Sequence, residues 1–324
     1  MVISVNNLSK HYSLYKKDPG LTGSVKSLIH RRYETVKAVE EISLNIDEGE
    51  FVGFIGPNGA GKTTTLKMLS GLLYPSAGNI KVLGFTPFDR KPEFLKQISL
   101  VLGQKNQLWW DLPAMETLLL NKEIYQIPES EFKKTLDDLV SLLDAKDLLN
   151  VQVRKLSLGQ RMKMELIAAL IHRPKVLFLD EPTIGLDVVM QKKIREFLKE
   201  YNSTTKSTII LTSHYMGDVE ELCKRVIVIN YGRILFDGNL EDLVSSHSPF
   251  KQITVVLNEK VDREKLDKFG NLFSYNPPEW ILRVKKSDTN RVAAKILEKF
   301  SVEDINIENP EIESVIQDVF TKAK

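Results

Sequence analysis

Cysteine is almost missing from this 324-residue chain: Cys223 stands alone, which excludes an intramolecular disulfide framework and a cysteine-only zinc site. The five histidines are scattered, with no His-Glu-x-x-His and no paired Cys/His spacing. A reducing, cytosolic compartment fits that cysteine usage best. Long apolar runs are missing too. Phe51–Ile55 reaches strand length and stops well short of the roughly twenty residues needed to cross a bilayer, and the opening MVISVNNLSKHY holds no apolar leader core. The third absence is charge of one sign. Forty-five Lys and Arg against forty-three Asp and Glu leave +2, little for a protein that coats duplexes or wraps polyanions, so nucleic acid is not an expected partner. What is present, 42% hydrophobic and 27% charged residues, is the balance of a soluble globular protein. The length suits two domains, the larger with a sizeable core.

Residues 1–8 alternate like an edge strand. Residues 13–36 then read as a polar, basic insertion in which Lys16, Lys17, Lys26, Arg31 and Arg32 lie among Tyr15 and Tyr33. Within it SVKSLIHRRY has the pattern of a short basic amphipathic helix. A solvated surface loop and a contact with anionic headgroups or a membrane partner are both open for it. Alternation resumes at VKAVEEISLNI, and Asp47-Glu48-Gly49-Glu50 marks a tight turn. FVGFIG reads as a strand, TTLKMLSGLL as a helix and NIKVLGF as another strand. Segments 116–125, 131–145 and 159–170 have helical periodicity. The apolar strands VLFL, STIILTS and RVIVIN then recur at regular intervals with helices between them, the alternation of an α/β core, which YGRILFDG closes as a hairpin. Past Asp237-Gly238 the pattern changes. FKQITVVLNE, EWILRVKK and DINIE look like strands, and TNRVAAKILEKF and PEIESVIQDVF like helices, giving a small α+β domain at 239–324.

Gly56-Pro57-Asn58-Gly59-Ala60-Gly61-Lys62-Thr63 fits G-x-x-x-x-G-K-[ST] at every fixed position, between a strand and a helix that opens with Thr64. Glycines let successive backbone N–H groups turn inward around phosphate oxygens, and the following helix adds its positive end. Lys62 can reach β- and γ-phosphates, and Thr63 can ligate Mg²⁺. In VLFLDE, Asp180 emerges from a buried strand where it can hold Mg²⁺ directly or through water, and Glu181 is placed to orient or deprotonate an attacking water. Gln104 follows the strand ISLVLG, where it can touch the metal-bound water, and His214 ends LTSH, where it can donate to the γ-phosphate.

These pieces in this order resemble the nucleotide-binding domain of ATP-binding cassette (ABC) transporters over about residues 1–238. The most specific piece is Leu156-Ser157-Leu158-Gly159-Gln160-Arg161, similar to the family signature LSGGQ and placed between the phosphate loop and VLFLDE. The fold implied is a P-loop NTPase of the ABC ATPase type, with a helical signature subdomain at about 105–170 and the small C-terminal α+β domain. By the same resemblance ATP and Mg²⁺ are the ligands, and Tyr12 stacks on adenine. Gln104 is then the Q-loop residue and also meets the metal, Glu181 the catalytic base, Asp187 in TIGLD the D-loop residue and His214 the switch histidine. Ser157, Gly159 and Gln160 meet the γ-phosphate held by a second ATPase subunit, in a homodimer or a heterodimer. Leu158 departs from the family by replacing the first signature glycine, while Ser157 and Gly159 keep the contacting groups.

In ABC transporters the region after Gln104 receives the permease. Trp109 and Trp110 in QLWWDLP are either internal core of the helical subdomain or anchors of a permease groove, since adjacent tryptophans are costly to expose and favoured at interfaces. That stretch, the insertion and the tail together resemble ATPase subunits of ABC-2-type systems, which are mostly exporters. Such a chain sits peripherally on the cytoplasmic face of the membrane, held by the permease. The competing readings are a soluble ABC-type ATPase acting on ribosomes or nucleic acid and an ATP-gated regulatory protein. The transported substrate is not written in this chain.

Overall fold

The computed structural model describes residues 1–16, 32–103, 106–213, 215–247, 250–258, 261, 263–309 and 312–322. The chain divides into two compact units, Met1–Gly238 and Asn239–Lys324. In chain order the first contains β1 (Ile3–Lys16), β2 (Arg32–Ile46), β3 (Phe51–Ile55), α1 (Lys62–Leu69), β4 (Ala77–Val82), β5 (Ile98–Leu102), α2 (Ala114–Tyr125) and α3 (Glu129–Leu142). It continues with α4 (Leu158–Leu170), β6 (Val176–Asp180), α5 (Val188–Thr205), β7 (Thr208–Thr212), α6 (Met216–Leu222), β8 (Arg225–Asn230) and β9 (Arg233–Asn239).

The uninterrupted apolar runs become strands buried on both faces, as parallel sheets require. They form a six-stranded sheet in the order β5-β6-β7-β3-β8-β9, with parallel pairing from β5 through to β8. The turn between β8 and β9 puts Tyr231 and Gly232 in the left-handed region, the two-residue turn that matches strand twist. A second, antiparallel sheet has the order β2-β1-β4. Helix α1 lies between the two sheets, touching β2 and β4 on one side and β6 on the other. Leu66, Met68 and Leu69 are therefore fully buried in one core with Ile3, Val5, Leu8, Val176 and Phe178. The start of α1 is thereby fixed from both sides.

Two expectations are corrected here. The alternation of residues 1–8 suggested an edge strand, but β1 is the central strand of its sheet, paired with β2 and β4. Alternation reports which faces are buried and is silent about which backbone edges are paired. The insertion is also shorter than 13–36, because residues 13–16 and 32–35 continue the β1–β2 ladder. Tyr15 and Tyr33 pair across it with ring centroids 6.0 Å apart. Residues 17–31, with Lys17, Lys26, Arg31 and most of the expected amphipathic helix, lie outside the described residues, while Arg32 and Tyr33 belong to β2.

Helices α2, α3 and α4 make the helical subdomain. On α3, Phe132, Leu136, Leu139 and Val140 share the inward stripe at three- and four-residue spacing. The second unit contains α7 (Leu240–His247), β10 (Phe250–Leu257), β11 (Asn271–Asn276), β12 (Glu279–Lys285), α8 (Thr289–Lys299), β13 (Val302–Glu308) and α9 (Ile312–Lys322). Its antiparallel sheet has the order β11-β12-β10-β13, and Ile253, Val255, Trp280 and Leu282 pack against Val292 and Ile296 of α8. The sequence pattern left out α7, which is short and ends in Ser-Ser-His, and β11, whose register breaks between Leu272 and Ser274.

Candidate nucleotide site

Parallel pairing brings the residues that follow β3, β5, β6 and β7 to one edge of the sheet, the edge where open α/β sheets bind ligands. After β3 the chain turns through residues 56–61 into α1. Backbone packing decides two of its glycines. A Cβ on Gly56 would lie 2.3 Å from the Ile229 carbonyl oxygen, and one on Gly61, at φ 110°, would lie 2.5 Å from that of Ala38. Pro57, Asn58 and Gly59 are exposed at the rim, while Ala60 is buried. The Ala60 amide donates to Pro57, and Thr65 donates its hydroxyl to the Gly61 carbonyl at 2.9 Å.

Lys62 is buried and curls into the loop, its Nζ donating to the carbonyls of Gly56 at 2.6 Å and Pro57 at 3.2 Å. Burial pushes its pKa down, and the Glu181 and Asp180 carboxylates pull it back up. Thr63 and Thr64 follow it, half-buried, in the first turn of α1. The Thr63 Oγ1 lies 3.0 and 2.8 Å from the two Asp180 oxygens, and Thr212 of β7 donates to Asp180 at 2.7 Å. Hydroxyl and carboxylate together are an all-oxygen donor set of the kind that holds Mg²⁺ when nucleotide phosphates complete the shell. Glu181 has φ +56°, a conformation rare for a residue with a side chain. Its amide is held by the Thr212 carbonyl at 3.0 Å.

Tyr12 stands on β1 opposite Val36, 36% exposed, with the Lys10 Nζ 5.3 Å from its ring. Val36 is two residues, roughly 7 Å of strand, from the Ala38 carbonyl that backs Gly61. The ring therefore lies on the strand pair that borders the loop. Gln104 and His214 lie outside the described residues.

The signature segment caps a helix. Ser157 is the N-cap of α4: the Gln160 amide donates to its Oγ at 3.3 Å, and its own amide donates to the Gln160 Oε1 at 2.9 Å, a reciprocal capping box. Gly159 is needed for a close approach, since a Cβ there would lie 2.9 Å from Cγ of Met190 on α5. Leu158 points at the next segment, with Cδ2 3.1 Å from where a Gly185 Cβ would stand. Asp187 is the N-cap of α5, accepting from the Met190 amide at 2.9 Å. Leu158, Val188 and Val189 are all exposed around this cluster.

Trp109 and Trp110 are 49% and 46% exposed, so neither is internal core. The Arg161 guanidinium lies 5.5 Å from the Trp110 ring, and the Arg154 amide donates to the Trp110 carbonyl at 3.0 Å. Glu165 of α4 holds the segment from behind, its Oε1 accepting from the amides of Gln107 at 2.9 Å and Leu108 at 3.4 Å. Burial raises the Glu165 pKa, opposed by those two amides and by Arg161.

Three residues around the site had no motif to reveal them. Asp218 is 0% exposed. It accepts hydrogen bonds from Ser213 at 2.7 Å, from Thr183 and from Arg195 at 3.1 Å. It thus ties together the segment after Glu181, the residue before His214 and helix α5. Arg195 itself also binds Glu221. Gly103 crosses the Asp180-Glu181 backbone so closely that a Cβ would lie 2.1 Å from the Glu181 carbonyl oxygen, and its amide donates to the Asp180 carbonyl at 2.8 Å. A bare Asp, Arg or Gly carries no such information, because its partners come from distant segments.

Comparison with known proteins places these features in context. Residues 39–184 match the family model described as ABC transporter, and residues 249–308 match the one described as EvrA-like ABC transporter, C-terminal domain. The ABC transporter ATP-binding protein NatA of Bacillus subtilis (strain 168) is 38% identical over 213 residues, 66% of this chain and 86% of NatA. The bacitracin transport ATP-binding protein BcrA of Bacillus licheniformis is 34% identical over 205 residues, 63% of this chain and 66% of BcrA. A solved ATP binding subunit of an ABC transporter superposes with a TM-score of 0.63 at 26% identity, covering 76% of this chain and 93% of that one.

Proposed function

This chain belongs to the family of ABC transporter ATP-binding proteins, and from that premise we propose that it binds and hydrolyses ATP between two ATPase subunits to drive a separate membrane permease, in the direction of export. One observation carries the reading: Lys62, Thr63, Asp180 and Glu181 stand at the carboxyl edge of the parallel sheet, with Lys62 curled into the loop of residues 56–61 and Thr63 hydrogen-bonded to Asp180.

Each residue then has a chemical task. The loop amides from Gly56 to Thr64 and the start of α1 receive the phosphates, Lys62 takes β- and γ-oxygens, and Tyr12 stacks on the base. Thr63 and Asp180, with Gln104, would hold Mg²⁺, which when bound neutralises charge on the phosphate oxygens. Glu181 accepts a proton from the attacking water as its oxygen bonds the γ-phosphorus and the bond to ADP breaks, while His214 donates to the γ-phosphate. Ser157, Gly159 and Gln160 act on the ATP held by the other subunit, and Asp187 anchors the adjoining turn. The exposed apolar cluster of Leu158, Val188 and Val189 supports a second ATPase subunit packing on that face. Phosphate contacts favour closure and hydrolysis removes them, a switch of the ordered-by-phosphate kind.

Trp109 and Trp110 serve as permease anchors, held from behind by Arg161 and Glu165. Export through an ABC-2-type permease, on the cytoplasmic face of the membrane, is supported by the likeness to a bacitracin transport subunit and by the C-terminal family match. No helix among the described residues is long and apolar enough to cross a membrane. The test is Glu181→Gln. Turnover should fall at least about a hundredfold while ATP binding persists, and the variant with ATP should co-purify from native membranes with a multi-spanning protein. Unchanged turnover removes Glu181 as the base. Recovery of ribosomal or nucleic-acid partners alone removes the transport reading and leaves the ATPase.

A further inference from the structure

Glu181, the base of the proposed reaction, has a backbone conformation that needs holding. Its φ of +56° lies in the left-handed region, where a residue with a side chain stays only when its surroundings over-determine it. On the N-terminal side the hold comes from β7. The Glu181 amide donates to the Thr212 carbonyl at 3.0 Å and to the Thr212 hydroxyl at 3.1 Å, and that hydroxyl donates to Asp180 at 2.7 Å. On the C-terminal side the Ile184 amide donates back to the Glu181 carbonyl at 3.2 Å. Thr183, inside that turn, is buried.

Both sides end on one oxygen. Asp218 lies on the inward face of α6 with Met216, Val219 and Leu222. Its Oδ2 accepts from the Thr183 hydroxyl and, at 2.7 Å, from the hydroxyl of Ser213, the residue that follows Thr212. Its Oδ1 accepts from Arg195 of α5 at 3.1 Å, and Arg195 also bonds Glu221. The carboxylate is therefore charge-paired and fixed in its plane. A buried ion pair is a weak source of stability beside apolar packing. What this one supplies is a set distance between two segments: the end of β7 and the turn after Glu181 hang from the same atom, so neither moves without the other.

We propose that Asp218 is a positioning residue for Glu181, clamping the backbone on both sides of it so that its carboxyl is held where the attacking water must be met. Asp218 acts through Thr183 and Ser213 and not on the nucleotide itself. The inference rests on the reading of Glu181 as the base. It assigns the buried hydroxyls of Thr183 and Ser213 to turnover as well as to folding.

The experiment measures steady-state hydrolysis of magnesium ATP by the 324-residue chain, with a melting temperature for every variant. Asp218→Asn should lower kcat about tenfold or more, and Thr183→Val and Ser213→Ala about threefold or more each, all with KM for ATP within about twofold of the parent. Thr183→Ser keeps the hydroxyl and should restore kcat. Thr208→Val is the control for stability alone. It removes another fully buried hydroxyl, which accepts from the Gly49 amide at 3.0 Å at the opposite end of β7, and should lower the melting temperature while kcat holds. Parental kcat in Asp218→Asn and Thr183→Val, a Thr183→Ser as slow as Thr183→Val, or an equal loss of kcat in Thr208→Val overturns the proposal. Should Glu181→Gln keep the parental turnover, the base assignment fails and this inference with it; a slow Glu181→Gln beside fast Asp218 and Thr183 variants sinks the inference alone.

Discussion

Two of the three sheets among the described residues treat polar chemistry in opposite ways. In the parallel sheet the strand ends meet at one edge, and the polar groups there are tightly tied: Asp180 accepts from Thr63 and Thr212, and fully buried Asp218 accepts from Ser213, Thr183 and Arg195. In the antiparallel sheet of the second unit the buried face is apolar, and charged residues such as Lys268, Lys285, Arg291 and Lys295 are exposed. The first edge depends on where each polar atom stands, and the second sheet is held by apolar burial with its charges left to solvent. Changes that move a backbone or orphan a buried group should therefore damage the first unit, whereas changes to the exposed charges of the second unit should cost little.

Asp218→Ala gives the sharpest contrast. Arg195 is 13% exposed at its side chain, so removing the carboxylate leaves that cation with Glu221 alone and strands two buried hydroxyls, which should cost about 3 kcal/mol. Urea denaturation of the variant beside Lys285→Glu, expected to stay within about 0.5 kcal/mol of the parent, measures the difference. Asp218→Asn keeps the shape and should lower kcat more than it changes KM for ATP, because the segments it ties flank Glu181 and His214. Equal stability of the Asp218→Ala and Lys285→Glu proteins would remove the contrast.

Gly103→Ala comes next. The added methyl would meet a carbonyl oxygen, which cannot rotate away, so the Asp180-Glu181 backbone must shift at a cost of about 1–3 kcal/mol. At Gly270, in the second unit, the nearest atom to an added Cβ is a Val284 side-chain methyl at 2.9 Å, so Gly270→Ala should cost less. Paired thermal melts with ATPase rates check both, and turnover should fall in the Gly103 variant alone.

How much was legible follows the same division. The phosphate loop, Asp180 and the signature announce themselves because their groups are contiguous, and the apolar runs of β3, β6, β7 and β8 can be nothing but buried strands. Asp218 and Gly103 were not legible, since they acquire their roles from distant segments, Thr183 and Arg195 for the one and Glu181 for the other. The central position of β1 was misread for a related reason: its alternation shows its two faces, while the pairing of its edges depends on β4. Leu158 shows the limit from the other side. Its departure from the family pattern is plain in the chain, but only the structure shows it resting against Gly185.

Glu165 supplies the smallest effect, and its sign depends on pH. Its Oε1 holds the Gln107 and Leu108 amides, while Oε2 is buried with no hydrogen-bond partner. Burial raises its pKa in the folded protein, so the folded state binds the proton more tightly than the unfolded chain. The stability this gives is complete below the ordinary carboxylate pKa and is lost as pH rises through the raised value. Above that window a charge sits buried, and Glu165→Gln, which keeps an acceptor for both amides, should be more stable than the parent at neutral pH. The gain should shrink as pH falls and the parent carboxyl becomes neutral. Denaturation at pH 7.5 and 4.5 measures the two ends, and a gain that grows on acidification would mean that the amides and Arg161, rather than burial, set the state of this carboxyl. A Glu165 governed by burial is a neutral-pH liability kept on the helix that begins at Ser157, one turn from Arg161 beneath Trp110. Its retention there is most simply explained by its hold on the segment that carries the two exposed tryptophans.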